Sequence, residues 1–258
     1  MQMIKTLIMG AGAVGAAGVA YIAVPGGDSE HSMTTAPAGY EVCLKSDLGL
    51  FEAVSAKCFS RKELLTLRDR QVVDIEGKPV SVSMSHPTDM SVSAQECRTC
   101  RDYGEMSFDG WYALSSRDMR REAYFVRACG TLAALSNARP AERSFFKEGS
   151  PEAEEVAALA GAMKFGEMGS GDDVHVEKAQ GAVWRISSGA MTWRIHEIAN
   201  ADFDNDGVEE IMAFTSGALQ GGTASFYEVG LIEKDTAGAA LSFTPISYGR
   251  DKAAGAGL

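Results

Sequence analysis

Apolar residues fall into two regimes along the chain. Before about residue 170 they recur every three to four positions between polar stretches; from Val174 they alternate with polar residues at a spacing of two. The first spacing predicts amphipathic helices and the second half-buried strands. Ser60-Arg-Lys-Glu63 reads as a capping box opening a short helix to about Arg70. Ser115-Ser-Arg-Asp118 resembles it, and its helix runs to about Leu135 with Met119, Ala123, Val126, Gly130 and Ala134 close to one face. Ser150-Pro151-Glu152 starts a third helix, to about Met163, with proline at the first position and acids in the first turn. Residues 47–58 are a weaker helical candidate. Two short strands, 71–75 and 78–84, flank a turn at Glu76-Gly77, and residues 88–110 show little apolar pattern.

In the alternating half, 175–177, 182–187, 191–198, 210–215, 224–232 and 241–248 read as strands separated by glycines and acids. Consecutive strands joined by tight turns predict an antiparallel meander. Trp193 and Ile195 then share one face, while Phe226 and Tyr227 point to opposite faces. The expected fold class is α+β: a helical N-terminal half followed by an antiparallel β-meander, preceded by an N-terminal signal or anchor helix. The expected divisions are a signal peptide or membrane anchor over 1–27, a linker over 28–40 and a mainly helical region with short strands over 41–170. An antiparallel β region over 171–250 and a disordered tail over 251–258 complete the chain.

The N-terminus supports two readings. Residues 6–24 form an apolar stretch with Lys5 as the only charge before Asp28, about 28 Å long as a helix and close to a bilayer core. Gly18-Val19-Ala20 offers small residues of the kind a signal peptidase reads. This implies a periplasmic or extracytoplasmic location, secreted or anchored by the apolar segment, with N-terminal membrane association. The other reading rests on Gly10, Gly12 and Gly15, a G-x-G-x-x-G run after a short apolar segment. It resembles the opening of nicotinamide- or flavin-dependent oxidoreductases, where such glycines let the backbone approach a pyrophosphate. The alternation of strand and helix that such a domain needs does not follow.

Composition narrows the partners. The formal net charge is -11, and the densest basic cluster, Arg117, Arg120, Arg121 and Arg127, sits within a helical pattern. An acidic chain without a basic stripe gains nothing from counterion release, which argues against nucleic acid. An acidic protein partner is one use for the arginines, a solvated helix face the other. The five cysteines are Cys43, Cys58, Cys97, Cys100 and Cys129. An oxidising compartment would permit one or two disulfides with one thiol left over. Cys97-Arg-Thr-Cys100 is also compatible with redox chemistry or half of a zinc site.

The most chemically specific segment is Asp202-Phe-Asp-Asn-Asp-Gly-Val-Glu-Glu210. Asp202, Asp204 and Asp206 supply carboxylates at alternate positions, Gly207 permits a sharp turn, the Val208 carbonyl can ligate, and Glu210 can close the sphere directly or through water. Asn205 points elsewhere and braces the turn. The pattern resembles the D-x-D-x-D-G-x-x-[D/E] calcium loop of integrin-α-like repeats of the FG-GAP type, and related loops in dockerins and thrombospondin type 3 repeats. The resemblance covers only residues 200–216 and implies calcium as the cofactor. An EF-hand matches less well, because Ala213 stands where a bidentate Glu belongs and an apolar strand pattern follows. The loop occurs once, against a repeat-built propeller. The function expected is an exported or membrane-anchored envelope protein with a structural calcium loop and a protein-interaction or structural role, its partner another envelope protein. The alternatives are an extracytoplasmic hydrolase using His86, His175 or His196, and the cytoplasmic dinucleotide-binding oxidoreductase of Gly10 to Gly15. Convergence of His175 and His196 on the acidic loop would favour the hydrolase.

Overall fold

The computed structural model describes residues 22–24, 39–52, 54–89, 91–162, 174–179, 182–189, 191–219 and 225–248. Strand β1 (Ile22–Val24) comes first. An antiparallel pair follows, β2 (Glu41–Cys43) and β3 (Cys58–Ser60), bridged by the Cys43–Cys58 disulfide. Helix α1 (Arg61–Thr66) leaves β3 directly. A three-stranded antiparallel sheet of β4 (Val82–Ser85), β5 (Gln95–Cys97) and β6 (Tyr112–Ala113) is interrupted by α2 (Cys100–Phe108). The long α3 (Ser116–Asn137) and the shorter α4 (Ala153–Ala162) lead into β7 (Val174–Lys178), β8 (Val183–Ser188), β9 (Met191–Ala201), β10 (Glu210–Leu219), β11 (Ser225–Glu233) and β12 (Ser242–Tyr248). These last six pair antiparallel in sequence order, and β1 joins beside β12 in parallel, Ile22 opposite Ile246.

Local chemistry explains the helix starts. Ser60 Oγ accepts from the Glu63 N–H while Glu63 accepts from the Ser60 N–H, so two end donors are satisfied reciprocally. Ser115 caps α3 by accepting from the Asp118 N–H. Thr99 and Asp102 form the same reciprocal box at α2. Helix α2 lies antiparallel to α3. The Cys100–Cys129 disulfide joins them at one end, and Tyr103 Oη donates to Glu122 Oε1 at 3.2 Å further along.

The sheet buries side chains on both faces. Met212, Val229, Leu231, Ile246 and Tyr248 pack in the core that contains α3 residues Phe125, Leu132 and Leu135. Ile211, Ala213, Ile232 and Leu241, of the opposite parity, pack with Trp184, Trp193, Ile195 and α4 residues Val156 and Leu159. A bulge lies between these strands: Met212 faces Ala199 and Ala213 faces Glu197, leaving Ile198 unpaired. The extra residue reverses the parity of β9. Trp193, Ile195 and Glu197 therefore face the α4 side, while Ala199 and Ala201 join the α3 core.

Three expectations are corrected here. The fold is α+β, but helices are interleaved among antiparallel sheets; there is no clean helical half followed by a meander. The strands missed are short and, in β5, largely exposed, so alternation could not reveal them. Residues 47–58 are not a helix: Asp47 Oδ1 accepts the Ala56 N–H and Leu48 bonds to Val54, folding the segment back toward β3. The apolar run to Val24 does not end as a helix, because Ile22–Val24 is a strand held by the β12 edge. Among the described residues no helix is long and apolar enough to cross a membrane. The expected signal or anchor helix over 1–27, and the periplasmic or extracytoplasmic location inferred from it, are corrected on these findings at Ile22–Val24, while residues 1–21 and 25–27 lie outside the described residues. Gly10 to Gly15 and the 251–258 tail lie outside the described residues.

The Cys100–Cys129 bond closes a loop of sequence separation 29. Replacing both cysteines by alanine is expected to lower unfolding stability by about 2–4 kcal/mol, read from chemical denaturation midpoints. An unchanged midpoint would show that this bond braces nothing.

Candidate metal centre

The turn between β9 and β10 gathers carboxylates. One oxygen from each of Asp202, Asp204, Asp206 and Glu210 lies within 4.8 Å of the others. Backbone donors orient them. Asp202 Oδ1 accepts from the Asn205 N–H at 2.6 Å and Oδ2 from the Gly207 N–H at 3.2 Å. Asp204 Oδ1 accepts from the Asp206 N–H, Asp206 Oδ1 from the Val208 N–H, and Glu210 Oε2 from the Phe203 N–H. The chain curls through two left-handed residues, Asn205 at φ 71° and Gly207 at φ 83°. Asparagine and glycine are the residues that tolerate this conformation best.

The segment after α3 clamps the turn from outside. Arg139 and Asp202 exchange backbone hydrogen bonds at 2.9 and 3.0 Å. The Gly207 carbonyl accepts from the N–H groups of both Glu142 and Arg143, and Arg143 returns its carbonyl to the Glu209 N–H. The loop is thus tied to a second chain segment as well as to its own strands.

Its electrostatics are unfavourable without a counter-charge. Asp202 and Glu210 are only 4% and 3% exposed, while Asp204 and Asp206 are exposed. Burial pushes Glu210 from 4.5 up to about 8; the charges of Asp204, Asp202 and Asp206 add to this, and the Phe203 N–H opposes it. Asp204 is raised too, first by burial, with Asp206, Asp202 and Glu233 contributing and the Asp206 N–H opposing. Burial, then the carboxylates of Glu209 and Asp202, raises the nearby Tyr40 phenol. A divalent cation would oppose the penalty on Glu210 and Asp204. The arrangement can hold a metal ion, and among the described residues it is the one such grouping of three or more His, Cys, Asp or Glu side chains.

The other candidate residues lie elsewhere. His175, on the exposed edge strand β7, is opposite Ser187 and through it Thr192. Thr192 is ten residues along β9 from Asp202, on the order of 30 Å. His196 is six residues away, roughly 20 Å, its ring against Phe214 and its pKa lowered by burial and then by Arg194. His86 accepts from the Thr88 and Asp89 N–H groups and meets Trp111 edge-on. Cys97 and Cys100 do not pair: Cys100 bonds to Cys129, and Cys97 is a buried thiol whose pKa burial drives upward. That is the reverse of a redox-active thiolate.

A second polar constellation went unread in the sequence. Glu197 is buried, pairs with Lys45 Nζ at 2.7 Å, and accepts from Ser150 Oγ at 2.6 Å and Trp184 Nε1 at 2.8 Å. Lys178 donates to Ser150, and its ammonium lies 4.8 Å over the Trp184 ring. Asn200 Nδ2 donates to both Gly149 O and Glu209 Oε1, linking this network to the acidic turn. The available signal was parity: Glu197 alternates with Trp193 and Ile195, which put a charge on an apolar face. No known protein family, curated protein or solved structure matches the chain.

Glu210 sets a pH dependence. Its folded pKa is raised, so the folded state holds a proton that the unfolded chain has already released between pH 4.5 and about 8. Stability in chelator should therefore be full below pH 4.5 and fall as pH rises through this window. Glu210→Gln is expected to flatten that slope in denaturant titrations at several pH values. A wild-type slope equal to the variant's would refute the burial penalty.

Proposed function

We propose that residues 202–210 hold one calcium ion in a loop of the FG-GAP type, and that the ion serves a structural or protein-interaction role. The carrying observation is the convergence of four carboxylates within 4.8 Å, two of them buried. Asp202, Asp204, Asp206 and Glu210 are the side-chain ligands in this reading, with the Val208 carbonyl as the fifth. Calcium suits the donor set better than magnesium, which keeps several waters and uses one or two carboxylates. The ion would neutralise the turn and fasten β9 to β10 and to the segment that follows α3. A structural role is supported by the described histidines: none of His86, His175 and His196 joins the four carboxylates.

Calorimetric titration with calcium is expected to show one site in the wild type. Asp204→Ala, which removes an exposed ligand and leaves the buried pair intact, should bind at least about tenfold more weakly. Calcium at a hundredfold excess over its dissociation constant should stabilise the wild type by about 2.7 kcal/mol relative to chelator. Equal binding by the two proteins, or equal stability with and without calcium, would overturn the proposal.

A further inference from the structure

A cavity of about 250 Å³ lies where β2, β3 and α1 meet the end of α3. Val42, Phe59, Leu64 and Leu135 line it, one from each of these elements, and each is at most 4% exposed. Its volume is room for roughly eight groups the size of a water molecule. No carboxylate lines it, although the chain has 35 aspartates and glutamates. The charged residues in its lining are Arg61 and Lys62.

Both cations are exposed, and neither forms an ion pair among the described residues. They also line a second, wider groove together with Leu65, Thr66, Asp69 and Arg101. The one acid there, Asp69, is already paired with Arg101. The two hollows therefore share a pair of uncompensated positive charges, on a chain whose net charge is -11. The carboxylates of Glu209 and Asp202 act on Tyr40, which lines the cavity just before β2. They disfavour an anion on that side and leave the α1 wall as the place for one. An apolar pocket with a few placed polar groups is the usual form of a small-molecule site. The buried floor suits a hydrocarbon chain, and the two cations beside it suit a carboxylate head.

We propose that this cavity binds a single-chain fatty acid of about eight carbons, its chain on the apolar floor and its carboxylate at Arg61 and Lys62. Titration with octanoate in calcium-free buffer, followed by amide chemical shifts, is expected to saturate. The changes should centre on Val42, Phe59 to Leu64 and Leu135 to Ala138. Each CH₂ added between butanoate and octanoate should tighten binding about fourfold. Octanol, which lacks the charge, should bind at least about tenfold more weakly. Arg61→Glu with Lys62→Glu puts acids in the first turn of α1, where a helix accepts them. This variant should bind octanoate at least about tenfold more weakly and octanol unchanged. Circular dichroism checks its fold, and octanol binding checks its cavity. Octanoate that causes no saturable shift at these residues would overturn the proposal. So would acetate binding as tightly as octanoate, or equal octanoate affinity in the wild type and the double variant.

Discussion

Four carboxylates within 4.8 Å, two of them out of water, repel one another in their charged forms, a repulsion that a proton or a shared cation relieves. The turn between β9 and β10 is built around that constraint. Each acid already accepts a backbone N–H, so the chain is curled to hold the oxygens in place. Those bonds do not offset burial and the neighbouring charges, and Glu210 remains raised to about 8. The loop's position raises the stakes. It joins the two strands with the longest shared ladder, and the segment leaving α3 is bonded to it at Asp202, Gly207 and Glu209.

Strand β9 carries a further buried charge, Glu197. The bulge opposite Met212 and Ala213 turns Glu197 toward the α4 side, where Lys45, Ser150 and Trp184 satisfy it. A buried carboxylate gains little net stability from such a pair, but losing one partner would be costly. The consequence is geometric. Lys45, from the loop after β2, and Ser150, from the turn before α4, are fixed on the central sheet. Through Asn200 the network reaches Glu209, so the acidic turn and the α4 approach share a hydrogen-bonded link.

Much of this was legible wherever a single local rule decided the outcome. Ser60 with Glu63, and Ser115 before α3, start helices where their spacing says they must. The D-x-D-x-D-G pattern located the acidic turn, because alternate side chains of a tight curl point inward and Gly207 supplies the left-handed residue. Illegible were features set by distant partners. Ile22–Val24 is a strand because an edge of β12 receives it, and apolar residues alone favour a helix as readily. Thr99-Cys-Arg-Asp102 carries a capping box that the surrounding lack of apolar period concealed. The pairing of Cys100 with Cys129 rather than Cys97 follows from the antiparallel lie of α2 on α3. The clamp from Arg139 to Arg143 is made by backbone groups and leaves no side-chain signature.

The central claim is that a cation completes the β9–β10 turn and holds it to the neighbouring segment. Amide hydrogen exchange, compared in calcium and in chelator, tests it most directly. The amides of Asn205, Gly207 and Val208, with those of Glu142 and Arg143 that bond to Gly207, should exchange markedly more slowly in calcium, while the amides of α2 stay unchanged. Equal exchange of the turn in both conditions would contradict the claim.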